Sequence, residues 1–251
     1  MPRSGRPGPV RSRPSMARLR IVLVEPREGG NVGAVARAMK NFGFGDLVIA
    51  GNAPPLHPVA EWWASGADDV LDALTLAPSL NAALADAHLS IATTSSRGRD
   101  LPTPLTPLTA AELFAALGPS QTLALVFGRE DRGLTSAETS TCQRTATIPA
   151  SAVFPTLNLA QSVAIFCYEM SRATAAAPVV YRQLAEAAAL ERLHDGFRDL
   201  LLRGGFLDEQ NPDHIYAELR ALAGRLSLDE REAVILQGVL RRLLWRIDHQ
   251  S

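Results

Sequence analysis

The stretch Leu19-Arg-Ile-Val-Leu-Val-Glu25-Pro-Arg-Glu-Gly-Gly-Asn31-Val-Gly-Ala-Val-Ala-Arg37-Ala-Met-Lys-Asn-Phe-Gly43 decides how this chain is read. Leu19 to Val24 is a short apolar run ended by Glu25-Pro26, the pattern of a buried strand. Asn31 is placed to cap a helix running to about Asn41, with Gly43 and Gly45 to stop it. That helix puts Arg37 in its second turn, and Gly29, Gly30 and Gly33 allow close approach to its start. The segment is not a dinucleotide fingerprint, because G-x-G-x-x-G is missing. It is not a Walker A loop either, because no Gly-Lys-Ser/Thr follows. From spacing alone, a glycine turn with a solvent-facing arginine explains it equally well.

The same alternation continues outward. Leu47–Ala50, Leu89–Thr93, Thr122–Val126 and Thr145–Ile148 read as further strands. Helical patterns lie between them: Ser79 to Ala87, and two capping-box signatures at Thr109-Ala-Ala-Glu112 and Thr135-Ser-Ala-Glu138. Strand and helix at this spacing predict an α/β fold with a mainly parallel sheet. Residues 157–172 form a nearly all-apolar helical stretch, which must be buried in the core or between subunits. Residues 173–180 read as a linker. From 181 to 251 the chain turns Leu-rich and charged without strand signals, predicting three helices: Leu184–Leu202, Pro212–Leu222 and Ser227–Ile247. The expected organisation is a basic tail over 1–18, an α/β domain over 19–172, the linker, and a small all-α extension over 181–251.

Composition narrows the function classes. A formal net charge of −1 means that any nucleic-acid contact must come from local patches. The first twenty residues carry Arg3, Arg6, Arg11, Arg13, Arg18 and Arg20 and no acid. They read as a solvated tail (with Met16 as an alternative start) or as an arm touching phosphates. No apolar h-region follows those charges, and no run approaches the length of a membrane span. Cys142 and Cys167 lack metal-ligand spacing, so no metal site is expected and a reducing, cytoplasmic setting is.

Three segments place special residues after a strand, where ligands bind in open α/β sheets. The first carries Asn31 and Arg37. The second, Phe127-Gly128-Arg-Glu130-Asp-Arg-Gly133, runs from a strand into a glycine-rich loop bearing Glu130. The third, Ile148-Pro-Ala-Ser-Ala-Val-Phe-Pro-Thr156-Leu-Asn158-Leu-Ala-Gln-Ser162, sets polar groups at a helix start. Each has a plain alternative: a glycine turn, a strand-to-helix loop, and helix capping by Thr156 or Asn158. Trp62-Trp63 fits packing better than base stacking. The five histidines are scattered. Arg241, Arg242 and Arg246 read as a solvated face, with RNA contact as the rival.

Taken in this order, N-x-G-x-x-x-R, FG-x-E-x-x-G and P-[ST]-x-N-L resemble the signature motifs of the TrmH-like branch of the SPOUT RNA methyltransferases. The resemblance spans about residues 19–172, and the helical extension is similar to a tRNA-acting subgroup. It implies a trefoil-knotted sheet, a homodimer, S-adenosyl-L-methionine as methyl donor with no metal or membrane, and methylation of the ribose 2'-hydroxyl of cytidine or uridine at anticodon-loop position 32 of tRNA. It implies Arg37 as orienter and charge stabiliser, Asn31 holding the loop, and Glu130 positioning Arg37 or a hydroxyl. It assigns Thr94, Ser95, Ser96, Gly128, Ile148, Thr156, Leu157 and Asn158 to the donor pocket, and Arg97 and Arg99 to substrate RNA. Two departures stand out: Thr156 where many relatives carry Ser, and Pro149, which removes an N–H. Methylation of rRNA or of a base, a non-catalytic RNA-binding protein, and a nicotinamide oxidoreductase are the rivals; the missing glycine fingerprint weighs against the last.

Overall fold

Leu19, Ile21 and Leu23 alternate with Val22 and Val24 along the first strand, and all five are buried. Successive side chains point to opposite faces, so this strand is covered on both sides. The computed structural model describes residues 17–95, 104–174, 184–207, 212–224 and 226–249. The first half runs β1 (Arg18–Val24), α1 (Gly29–Asn41), β2 (Asp46–Ala50), α2 (Val59–Ala64), α3 (Asp68–Asp72), β3 (Thr75–Ala77), α4 (Leu80–Leu84) and β4 (Leu89–Thr93). There follow α5 (Pro107–Ala115), β5 (Thr122–Phe127), α6 (Ser136–Thr141), β6 (Arg144–Ala146), α7 (Leu159–Thr174), α8 (Ala187–Arg203), α9 (Pro212–Gly224) and α10 (Glu230–Asp248). The strands are ordered β3-β2-β1-β5-β4-β6 and every pairing is parallel.

One sheet face meets α1, α5 and α7 through Val35, Met39, Phe114, Val163, Phe166 and Met170. The other packs Val22, Val48 and Val126 against Leu80 and Leu84 of α4 and Leu134 before α6. Because the sheet is sandwiched, its central strands are continuous apolar runs, and for that reason they were readable from sequence. Cys142 and Cys167 are buried free thiols whose burial pushes their pKa up to about 12, so both are inert small residues of the interior.

Several sequence expectations are corrected. Helix α1 starts at Gly29, with Glu28 as N-cap. Asn31 is therefore inside the first turn rather than capping it, and Arg37 opens the third turn. Helix α5 starts at Pro107, with a capping box formed by Thr106 and Thr109 in place of Thr109 and Glu112; proline at the first helical position favours that earlier start. The capping box at Thr135 and Glu138 is present. Arg18 and Arg20, counted with the basic tail, belong to β1. Arg20 is buried and donates from Nε to Asp46 Oδ2 at 3.2 Å and from Nη2 to Asp86 Oδ2 at 3.1 Å. Strand β3 was not anticipated. Helix α7 is apolar on one side only: Leu159, Val163, Phe166 and Met170 are buried while Tyr168 is exposed. Residues 1–16 and most of the linker lie outside the described residues.

The three C-terminal helices dock on the strand N-terminal side of the sheet. Gln121 Nε2 donates to Leu184 O at 3.4 Å, and Ala187 N donates to Ala87 O at 2.6 Å. Arg220 of α9 donates from Nε to Ser140 O at 2.8 Å and pairs with Glu191 of α8. The extension thus stands away from the strand ends where the motifs gather.

Candidate active site

A cleft of about 710 Å³ opens at the C-terminal ends of β4, β5 and β6. Its position follows from strand order. The chain lays β2 and β3 on one side of β1 and β4, β5 and β6 on the other, and a parallel sheet leaves a crevice beside such a reversal. Phe127, Leu134, Ile148 and Phe166 supply apolar lining, and Thr94, Ser95, Glu130, Thr156 and Asn158 supply polar lining. Phe127 and Phe166 meet edge to face at 5.8 Å.

The three motif segments converge here through hydrogen bonds. Glu130 accepts at Oε2 from Arg27 N at 2.9 Å, and at Oε1 from Glu28 N at 3.4 Å and Asn31 Nδ2 at 2.9 Å. Glu130 thereby ties the turn that leads into α1 to the loop after β5. Burial opposes its charge, but the backbone N–H of Arg27 and the Asn31 amide outweigh that and hold Glu130 below its ordinary pKa. An ionised carboxylate only accepts, so Asn31 turns its NH₂ to Glu130 and leaves Oδ1 outward. Asn158 Nδ2 donates to that oxygen at 3.2 Å. Asn158 Oδ1 then accepts from Ala160 N at 2.8 Å and caps α7. One polar chain therefore joins the start of α1, the β5 loop and the start of α7 across residues far apart in sequence.

The loop after β5 is tightly folded. A Cβ on Gly128 would lie 2.1 Å from Gly133 C and 2.2 Å from Leu134 N, so only glycine fits. Gly133 has φ +68°, the left-handed region that glycine tolerates. Arg27 pairs with Asp131 at 2.8 Å, a second tie between this loop and α1. Beyond β4, Thr94 N donates to Ala146 O at 2.9 Å and extends the ladder toward Ser95 at the cleft.

Asn31, Thr94, Ser95, Gly128, Glu130, Ile148, Thr156, Leu157 and Asn158 all line this cleft. Arg37 does not. Six residues beyond Asn31, it stands about 9 Å further along α1, exposed to solvent. Ser96, Arg97 and Arg99 lie outside the described residues. Sequence reading missed Arg129, Arg132, Phe154 and Pro155 as lining groups. Phe154 is 78% exposed beside the cleft, and an aromatic between Val153 and Pro155 in a loop was the available signal. Trp62 and Trp63 are exposed, and Trp63 lies against Gly30, where a Cβ would come within 3.0 Å of its ring. Among the described residues no cluster of histidine, cysteine and carboxylates is set to hold a metal, and no helix is long and apolar enough to cross a membrane.

Residues 18–168 match the SpoU rRNA Methylase family. The tRNA (cytidine/uridine/adenosine-2'-O-)-methyltransferase TrmJ of Pseudomonas aeruginosa (strain UCBPP-PA14) is 36% identical over 241 residues, covering 89% of this chain and 92% of that one. The crystal structure of TrmJ from Z. mobilis ZM4 superposes with a TM-score of 0.77 at 32% identity, covering 90% of this chain and 99% of that chain. The SpoU methyltransferase AviRb from Streptomyces viridochromogenes, solved with the cofactor AdoMet, shares the fold at 20% identity and a TM-score of 0.50, covering 68% and 64%.

Proposed function

The chain belongs to the SpoU rRNA Methylase family, and from that premise we propose that it transfers a methyl group from S-adenosyl-L-methionine to a ribose 2'-hydroxyl of tRNA. The target is cytidine or uridine in the anticodon loop, at position 32. Identity to a TrmJ enzyme along nearly the whole chain, extension included, supports tRNA as substrate. The observation that carries the reading is the Glu130–Asn31–Asn158 chain on the wall of the cleft.

The cleft fits the donor by size and lining. Pockets for such ligands span about 300–1,000 Å³ and are largely apolar with a few placed polar groups. Ile148, Leu134 and Phe127 suit an adenine ring, while Thr94, Thr156 and backbone groups near Gly128 suit its polar ends. When bound, S-adenosyl-L-methionine supplies an electrophilic methyl group on a sulfonium, so no metal is needed. The protein's part is to align the ribose oxygen and to stabilise charge as its proton leaves. Asn31 and Asn158, locked by Glu130 and by the start of α7, are fixed polar groups for orienting the ribose. Arg37 is the cation for the developing oxyanion, orienting the hydroxyl and stabilising its charge through directional N–H donors. Arg37 stands on the exposed side of α1, outside the cleft, and we assign the working enzyme as a homodimer in which RNA or a second copy of the chain completes the site around it.

The test is transfer of labelled methyl from S-adenosyl-L-methionine to total tRNA from cells lacking the modification, read by nucleoside mass spectrometry. Wild type is expected to yield 2'-O-methylated pyrimidine in the anticodon loop. Arg37→Ala is expected to lose at least about a hundredfold in rate, the scale of one oxyanion-stabilising group, while donor affinity by calorimetry is unchanged. Label entering rRNA instead overturns the tRNA assignment and keeps the chemistry, a reading that the family's rRNA description favours. No donor binding overturns both.

A further inference from the structure

Arg129 sits in the cleft loop, yet it is 8% exposed and its guanidinium is taken up by carboxylates. Nε and Nη2 donate to Glu25 Oε2 at 2.9 and 2.6 Å. Nη1 donates to Glu138 Oε2 at 3.0 Å and Nη2 to Glu138 Oε1 at 2.9 Å. The arginine is thus held by two carboxylates, one of them in bidentate geometry. The anchors belong to separate elements. Glu25 ends β1 with φ +42°, an uncommon conformation for a non-glycine residue. It lies so close to β2 that a Cβ on Gly51 would come within 2.9 Å of its Cγ. Glu138 is the third residue of α6 and also closes that helix's capping box.

The neighbours of Arg129 in sequence are the two loop residues that matter most to the cleft. Gly128 precedes it, packed against Gly133, and Glu130 follows it, holding Asn31 and the start of α1. Arg129 O also accepts from Gly133 N at 2.8 Å, closing the loop. Fixing the Arg129 side chain from behind therefore fixes the backbone on both sides of it. We propose that Arg129, clamped by Glu25 and Glu138, is a positioning residue that sets the cleft floor at Gly128 and the direction of Glu130. It couples the donor side of the cleft to the ribose side without touching either reactant. This rests on the reading of the cleft as a methyl-donor site.

Lysine keeps the charge but has no planar fork, so it cannot serve both carboxylates with this geometry. Arg129→Lys is expected to raise the donor KM and to lower kcat, each by about tenfold, with tRNA affinity in a gel shift unchanged. Glu25→Gln, isosteric and foldable, is expected to move the same two parameters in the same direction. The double variant is expected to be no worse than Arg129→Lys alone, because both changes break one interaction. Variants that melt earlier but keep wild-type donor KM and kcat at a temperature where they are folded overturn the inference and leave Arg129 as structural glue. Additive losses in the double variant overturn the coupling with Glu25. Wild type that binds no donor overturns the underlying reading, and is told apart because it fails before any variant is compared.

Discussion

Asn158 does two things through two different atoms, and a single substitution separates them. Its Oδ1 caps α7 at Ala160 N, and its Nδ2 donates to Asn31 Oδ1. Asn158→Asp keeps the cap, since aspartate is as good a cap as asparagine, but replaces the donor by an acceptor facing an acceptor. Asn158→Ala removes both, at a cost of about 1 kcal/mol for the lost cap. Melting curves are expected to show Asn158→Asp near wild type and Asn158→Ala lower. Methyl transfer is expected to fall in both; an active Asn158→Asp would mean that the amide serves α7 alone. At this scale the sequence pointed to residues that gather at the cleft and was silent about how they meet. Asn31, Glu130 and Asn158 stood out by residue type and glycine context. Their pairing depends on Glu130 accepting from Arg27 N, Glu28 N and Asn31 Nδ2 at the start of α1, far away in sequence, and no local spacing encodes that. Arg37 shows the converse: its motif position and helical separation from Asn31 were legible, but that the cleft reaches Asn31 and stops short of Arg37 was not.

Between elements, the buried partners of α8 and α9 make the extension's docking sensitive to acid. His194 of α8 lies beside Arg220, with Tyr216 donating from its hydroxyl to His194 O. Burial first, and the Arg220 charge second, lower the His194 pKa to about 4, against the raising influence of Glu191 and Asp195. The unfolded chain binds this proton near the ordinary value of 6.5. Stability from the neutral ring is thus fully present above pH 6.5 and is lost as pH falls from there through 4. The melting temperature is expected to drop between pH 7 and 5, and His194→Gln is expected to flatten that drop while costing some stability at pH 7. An equal slope in the variant would assign the drop to other groups. The elements that sequence revealed were those with a strong period or run. Strands β1 and β5, buried on both faces, stood out as apolar runs. Strand β3, only Thr75–Ala77, is too short to show a period. The start of α5 was misplaced because two threonines three residues apart both offer a capping hydroxyl, and Pro107 decides between them.

For the molecule as a whole, the surface shared by α1 and α7 bears on both assembly and chemistry. Ala34, Arg37 and Asn41 recur at helical spacing on the outer side of α1, and Gln161, Ile165, Tyr168 and Arg172 do so on α7. The two stripes are neighbours: Phe42 meets Tyr168 edge to face at 5.9 Å, and Arg172 lies over the Tyr168 ring at 5.5 Å. Sequence alone asked for α7 to be buried in the core or between subunits, and its outer side still carries Ile165 and Tyr168 among Gln161 and Arg172. One chain covers the side bearing Val163, Phe166 and Met170 and leaves Tyr168 exposed. Symmetric association of two copies along this seam would cover the rest, and a self-complementary patch is what a twofold dimer needs. It would also seat both Arg37 side chains at a shared boundary next to the clefts. Ile165→Asp tests this without entering the core, since Ile165 is only half-buried. Burying an unpaired carboxylate at an interface costs far more than leaving it in water. In light-scattering chromatography wild type is expected to elute as a dimer and the variant as a monomer. It is also expected to lose methyl transfer while keeping donor binding, because the cleft proposed for the donor is already formed within one chain. A variant that stays dimeric would move the interface off α1 and α7. A monomeric variant with full activity would place Arg37's work within a single chain, with RNA alone completing the site.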